Sequence, residues 1–214
     1  MDAHARHQAV VAIMKLAPVI PVLTVRDVAD GVAQARALVA GGLPAIEVTL
    51  RTPAGLAAIA EIAKSVPGAY VGAGTIIEPE QIEAAVNAGA KFLVSPGTSP
   101  ALAAAAASAP IPFLPGVATP SEAMTLRALG FRALKLFPAE AVGGARLLSS
   151  LFAPIPDLVF CPTGGIDAAK ASSYLALPNV LCVGGSWMLP RAALEAGDYG
   201  RIEEIARAAA ALKG

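Results

Sequence analysis

From residue 19 the chain alternates between two periods. Short apolar or β-branched runs are each followed by a longer stretch in which apolar residues recur at helical spacing. The runs are VIPVLTV (19–25), AIEVTL (45–50), YVGAGT (70–75), FLVSPG (92–97), PFLPGV (112–117), ALKLFPA (133–139), LVFCPTG (158–164) and NVLCVGG (179–185). The segments between them read as helices. RDVADGVAQARALVAGG starts acidic and stops at glycine, as helices prefer, and EPEQIEAAVNAGA repeats that grammar. SPALAAAAASAP is low in complexity, but alanine is the best helix former, so it too reads as helix. Ahead of the alternation, Val10, Ile13, Met14 and Ala17 recur at helical spacing and predict a helix over residues 1–17.

Eight strand–helix units with no linker predict one α/β domain over residues 1–214: a single (β/α)8 TIM barrel over 18–214, preceded by an extra N-terminal helix. An open, doubly wound sheet is the rival. The count of eight weighs against it, as does the lack of a G-x-G-x-x-G after the first strand.

Composition narrows the choice of partner. The 214 residues are 56% hydrophobic, enough for a sizeable core, but much of that is alanine and no run of 18 apolar residues occurs, so no membrane span is expected. Sixteen basic residues balance sixteen acidic ones without a basic stripe, which argues against nucleic acid or an acidic membrane as partner. MDAHARHQAVVAIMKLAP lacks a signal-peptide layout, so the expected location is cytoplasmic. Cys161 and Cys182 lie in apolar runs and read as reduced core thiols.

Elimination leads to the chemistry. The only histidines, His4 and His7, lie outside the repeating units, which disfavours a histidine-activated nucleophile or a histidine zinc site. The acidic residues are scattered, so no metal site is expected. Lysine and glutamate remain. Lys15, Lys64, Lys170 and Lys213 fall in helical stretches and Lys91 starts the fourth strand; Lys135 alone lies inside a strand near the end where barrels place chemistry. A buried ammonium is costly unless it is paired or loses its proton. Strand alternation puts Leu134 and Leu136 toward the helices and Ala133, Lys135 and Phe137 inward; the same parity turns Glu47, Thr49 and Arg51 inward. The second and sixth strands face each other across a narrow interior, so Glu47 and Lys135 can meet directly or through one water. They read either as a structural ion pair or as an amine nucleophile beside its acid/base.

A second cluster is PTGGID (162–167) with VGGSWM (183–188). Glycine lets backbone N–H groups approach an anion, and barrels frequently bind phosphate at these two loops; the alternative is a pair of glycine turns. Asp167 is placed to cap the following helix. Arg51 suits a carboxylate or a rim salt bridge, and Thr75 reads as a helix N-cap or a ligand hydroxyl. Together these groups describe a ligand with a phosphate at one end, a carboxylate at the other, and an amine and a base between. A buried amine attacking a ketone gives an iminium, an electron sink suited to making or breaking an adjacent carbon–carbon bond.

In order, EVTLRT, GAGT, SPG, KLFPAE, FCPTGGI and GGSW resemble the motifs of 2-keto-3-deoxy-6-phosphogluconate (KDPG) aldolase, whose family also includes 4-hydroxy-2-oxoglutarate (KHG) aldolase. The resemblance runs from about residue 18 to LEAGDY (194–199). It implies a class I aldolase on a (β/α)8 barrel, a homotrimer using no metal or other cofactor, that cleaves KDPG reversibly to pyruvate and glyceraldehyde 3-phosphate. By motif, Lys135 is the Schiff-base lysine and Glu47 the general acid/base. Arg51 and Thr75 bind the pyruvate carboxylate, Gly164, Gly165 and Ser186 hold the phosphate, and Phe137 and Thr163 line the pocket. Glu140 of KLFPAE is the rival base, but it follows Pro138 beyond the strand, where a helix-start role is natural. Three alternatives stay open: an aldolase acting mainly on 4-hydroxy-2-oxoglutarate, a phosphate-binding isomerase with no covalent step, and a silent sugar-phosphate binding protein.

Overall fold

A computed structural model describes residues 2–212; Lys213, read above as helical, lies outside them. The first helix, α1 (Ala3–Met14), is capped by the Asp2 carboxylate, which accepts from the Ala5 N–H. It ends three residues short of the expected 17, because Pro18 disfavours helical backbone at the residue before it. Strands and helices then alternate: β1 (Val19–Leu23), α2 (Val28–Ala40), β2 (Ala45–Thr49), α3 (Gly55–Ser65), β3 (Tyr70–Gly74), α4 (Glu80–Asn87), β4 (Leu93–Val94) and α5 (Pro100–Ala107). The run PFLPGV yields two short strands, β5 (Phe113–Leu114) and β6 (Gly116–Val117). After them come α6 (Pro120–Ala128), β7 (Ala133–Leu136), a 3-10 turn (Glu140–Val142), α7 (Gly144–Phe152), β8 (Val159–Pro162), α8 (Ala168–Leu175), β9 (Val183–Gly185), α9 (Arg191–Ala196) and α10 (Tyr199–Ala210). Local signals explain several starts. Thr119 and Glu122 form a reciprocal capping box on α6, Ser99 caps α5 ahead of Pro100, and Asp167 caps α8 as expected.

The strands pair in parallel and the sheet curls on itself. The expectation of eight strands in one sheet is corrected in detail: the ladder is divided into a six-stranded sheet, β5-β4-β3-β2-β1-β9, and a three-stranded sheet, β6-β7-β8. Pro115 is the cause at one seam. It has no N–H to give, and beyond it side chains take over from the ladder. The Gly116 N–H donates to Ser95 Oγ at 3.0 Å, and Thr98 Oγ1 donates to the Gly116 carbonyl at 2.9 Å. At the other seam β8 and the β9 segment meet through isolated bridges, Phe160–Val180 and Thr163–Gly184.

Side-chain alternation sorts the strands' residues into two cores. Ile46, Val48, Leu134 and Leu136 face the helices in the larger one. Ile20, Ala45, Phe92, Leu114, Ala133, Cys161 and Cys182 fill the inside of the curl, where Val10, Ile13 and Met14 of α1 pack against them. Burial of each such large aliphatic side chain is worth about 1.5–3 kcal/mol. Arg6 ties α1 down, its guanidinium 4.9 Å from the Phe131 ring centre and donating to the Ala107 carbonyl at 2.5 Å. Ala17 packs in the outer core instead of on α1. Both cysteines are buried free thiols, and hydrogen bonding to Cys161 together with burial pushes Cys182 well above its usual range. Among the described residues no helix is long and apolar enough to cross a membrane.

Candidate active site

Lys135 sits mid-strand in β7, between Gly116 of β6 and Cys161 of β8. Its parity carries the side chain into the curl, where Nζ donates to Glu47 Oε1 at 3.1 Å and lies 3.3 Å from Oε2. The two side chains are only 5% and 4% exposed, so the contact is direct and largely shielded from solvent. Glu47 rises from β2, paired with Val22 and Gly72 on its two sides. The β3 glycines make room for this arrangement. A Cβ at Gly74 would overlap the Glu47 carboxylate, and one at Gly72 would overlap the Phe92 ring that floors the interior. Lys135 Nζ also lies 5.4 Å from the Phe137 ring centre, facing its π-cloud.

Above the pair opens a pocket lined by Lys135, Arg51, Phe137, Thr163, Gly164, Gly165 and Ser186. Seven of the nine site residues expected from sequence therefore share one wall. The other two touch it: Glu47 through Lys135, and Thr75 through Arg51, whose Nε donates to Thr75 Oγ1 at 3.3 Å. Val22, Ile166 and Gly185 complete the lining. Ile166 and Gly185 lie within the PTGGID and VGGSWM cluster without being singled out, and Val22 is outside every motif, because each offers apolar surface or backbone instead of a reactive side chain.

Arg51 and Thr75 each lack the structural role that is their alternative reading. Among the described residues Arg51 has no carboxylate partner, so it is not tied up in a rim salt bridge. Thr75 is not a helix cap, since α4 begins at Glu80 after Pro79. It instead holds a left-handed backbone, φ 62°, which a β-branched residue adopts only under strain. Nothing in GAGT foretold this, since the neighbouring glycines are the usual residues for such a conformation.

The glycine loop after β8 also needs left-handed backbone, with φ 104° at Gly164 and 78° at Gly165. At the next strand, a Cβ on Gly184 would overlap Thr163 Oγ1, so the glycine pair of β9 brings the two loops together. Ser186 stands exposed at their junction.

Glu140 does start the 3-10 turn, but its carboxylate is engaged elsewhere. It pairs with Lys170 Nζ at 2.8 Å and accepts a hydrogen bond from the Tyr174 hydroxyl. Lys170, and then Tyr174, hold it below the usual carboxylate range. The sequence places Lys170 only in a helical stretch, although its spacing from Tyr174 sets both on one face of α8. Among the described residues no three histidine, cysteine or carboxylate side chains lie together as metal ligands would.

A buried lysine touching a carboxylate, beneath a pocket with a free guanidinium at one side and a glycine loop at another, can carry imine chemistry on an anionic carbonyl compound. The chain has relatives among proteins of known activity. KHG/KDPG aldolase of Escherichia coli (strain K12) is 48% identical over 198 residues, covering 92% of this chain and 93% of the relative. The 2-dehydro-3-deoxy-phosphogluconate aldolase of Pseudomonas aeruginosa is 46% identical over 193 residues, 90% of this chain and 88% of the relative. The crystal structure of KDPG aldolase from Legionella pneumophila, with pyruvate captured at low pH as a covalent carbinolamine intermediate, matches with a TM-score of 0.91 at 41% identity, over 94% of this chain and 98% of that one. The family model for KDPG and KHG aldolase matches residues 10–205, and with these likenesses it establishes that the chain belongs to the KDPG and KHG aldolase family.

Proposed function

We propose that this protein is a class I aldolase that reversibly cleaves 2-keto-3-deoxy-6-phosphogluconate to pyruvate and glyceraldehyde 3-phosphate. The observation that carries the reading is the buried Lys135–Glu47 contact at 3.1 Å, opening into a pocket between Arg51 and the Gly164–Gly165 loop. Lys135 is the nucleophile. Glu47 is close enough to take a proton from Nζ and leave a neutral amine, which attacks the C2 ketone to form a carbinolamine. Glu47 returns the proton to the departing hydroxyl, water leaves, and an iminium joins Lys135 to the substrate. The Glu47 carboxylate then removes the C4 hydroxyl proton. The C3–C4 bond breaks, its electron pair moves into the iminium, and glyceraldehyde 3-phosphate departs. The remaining enamine is protonated at C3, and water hydrolyses the imine to release pyruvate and the free amine.

Arg51, oriented by its hydrogen bond to Thr75, meets the C1 carboxylate as a fork. Gly164, Gly165 and Ser186 take the phosphate, and Phe137 and Thr163 wall the reacting carbons. The phosphate anchor acts at a distance, using binding energy to hold C2 near Nζ.

The finer architecture belongs to the same reading. The two sheets act as one (β/α)8 barrel in a single domain. Pro115 joins β5 to β6, the Thr163–Gly184 bridge joins β8 to β9, and α1 closes the end opposite the pocket. The protein works as a cytoplasmic homotrimer on small-molecule substrates, without cofactor. Cleavage of 4-hydroxy-2-oxoglutarate is a second activity to measure, because the Escherichia coli relative's name carries both substrates.

Pyruvate plus borohydride tests the reading: reduction fixes the imine, and mass mapping should find the label on Lys135 alone. A label on Lys91 or Lys170, or none, would overturn the assignment.

A further inference from the structure

Behind the glycine loop, on the side away from the pocket, a set of donors grips its carbonyls in sequence. The Ala139 N–H donates to the Thr163 carbonyl at 2.8 Å, and the Glu140 N–H to the Gly164 carbonyl at 3.1 Å. The third donor is a side chain: Lys170 Nζ reaches the Gly165 carbonyl at 3.0 Å. Lys170 is held in that position from its far side. Glu140 pairs with it at 2.8 Å, and the Tyr174 hydroxyl, one turn along α8, donates to the same carboxylate. Glu140 also packs against the loop itself, since a Cβ on Gly165 would lie 2.8 Å from Glu140 Cβ.

Peptide geometry turns this grip into a statement about the pocket. In a trans peptide the carbonyl and the following N–H point in opposite directions. The Gly164–Gly165 and Gly165–Ile166 peptides are trans, the Phe137–Pro138 bond being the cis one among the described residues. With the carbonyls of Gly164 and Gly165 drawn backward, the N–H groups of Gly165 and Ile166 face the opposite side, where both residues line the pocket. Among the described residues neither N–H donates within the protein. Two adjacent free amides of this kind form an anion-binding concavity.

We propose that Lys170, aligned by Glu140 and Tyr174, is a positioning residue for phosphate recognition: it holds the Gly165 carbonyl outward and thereby turns the Ile166 N–H, beside that of Gly165, toward the substrate's phosphate. The inference rests on the phosphate site of the proposed function. Lys170 does not touch the phosphate, because its ammonium is occupied on the far side of the loop by Glu140 and the Gly165 carbonyl. The side chain is half-exposed, so its replacement leaves the core intact.

The test uses the full chain with Lys170→Met, Lys170→Arg and Tyr174→Phe. Lys170→Met should raise KM for 2-keto-3-deoxy-6-phosphogluconate, and Kd for inorganic phosphate by calorimetry, ~10- to 100-fold, the scale of one charge-assisted hydrogen bond. The kcat, the KM for unphosphorylated 4-hydroxy-2-oxoglutarate and pyruvate trapping by borohydride should stay near wild type. Lys170→Arg should recover part of the loss. Tyr174→Phe removes no charge, yet should raise the same KM and Kd by ~2- to 5-fold, because Glu140 is loosened. The proposal is overturned if Lys170→Met binds phosphate like wild type. It is equally overturned if Tyr174→Phe is silent while Lys170→Met is not, since that pattern marks a simple long-range charge. If wild-type protein fails to trap pyruvate while both variants weaken phosphate binding, the aldolase reading falls and the positioning role stands.

Discussion

The two ends of the curled sheet are built from the same strands and the same inward parity, yet they carry opposite chemistry. At the N-terminal end the inward residues are Ile20, Ala45, Phe92, Leu114 and Ala133, sealed by Val10, Ile13 and Met14 of α1. Two residues further along β2 and β7, the same faces present Glu47 and Lys135, and above them the pocket opens. The dry end makes the polar end possible. A carboxylate and an ammonium only 4% and 5% exposed are costly to desolvate, and the apolar plug beneath them supplies stability that the pair does not. It also limits solvent to one side, so a proton released by Lys135 has Glu47 as its nearest acceptor.

The largest effect should come from breaking the polar end alone. Glu47→Gln keeps the shape and an amide oxygen able to accept from Lys135 Nζ, so the fold and much of the pyruvate affinity should survive. The kcat should fall ~10²–10⁴-fold, the range for a positioned acid/base. Glu140→Gln, five residues from Lys135 but facing Lys170, should leave kcat nearly unchanged and act on KM. A folded Glu47→Gln turning over near the wild-type rate would remove Glu47 from the mechanism.

The converse variant strikes the dry end. Met14 is fully buried among the inward residues, and Met14→Ala should cost ~2–5 kcal/mol of stability by denaturant titration, through lost transfer energy and the cavity left behind. The kcat measured well below the melting temperature should stay within about twofold of wild type, because no reacting group moves. A matching loss of kcat would show that the plug positions Lys135 directly.

How legible this division was from sequence varies by residue. Period-two alternation within β2 and β7 was enough to turn Glu47 and Lys135 inward, because a strand's parity is fixed locally, and the count of eight units was needed to set their strands opposite each other. The glycine pairs were legible for a similar reason: few other residues tolerate φ near 100° or so close an approach. The division of the sheet was only half legible. Pro115 was visible in PFLPGV, but its replacement by Ser95 and Thr98 side chains depends on chain proximity. The strain at Thr75 and the Lys170–Glu140 pair were not legible at all. Both are tertiary arrangements, the second spanning thirty residues, and neither leaves a periodic trace.

The smallest predicted effect sharpens the comparison from outside the curl, where among the described residues a buried carboxylate has no lysine or pocket facing it. Asp30, near the start of α2, is as buried as Glu47 but lies outside the curl. It accepts from the Arg26 guanidinium at 2.7 Å, the Arg26 N–H at 3.0 Å and the Gln34 amide at 2.8 Å, while Arg26 also reaches the Leu194 carbonyl. Burial pushes its pKa up, but Arg26 and then Gln34 outweigh that and leave it below the ordinary value of 3.8. A depressed carboxyl pKa means that the unfolded chain binds the proton more readily. The stabilisation is therefore complete above about 3.8 and is lost as pH falls through the lower, folded-state value. Asp30→Asn keeps the shape and removes the charge. At pH 7 it should melt ~2–4 °C below wild type, the scale of about 1 kcal/mol in a chain of this length, with kcat unchanged. The gap should narrow as pH is lowered from 4 toward 2, since wild type then loses the same charge. Thermal melts of both proteins across that range decide the matter: a gap that is constant with pH would assign the loss to packing, and a fall in kcat at pH 7 would tie the outer carboxylate to the pocket after all.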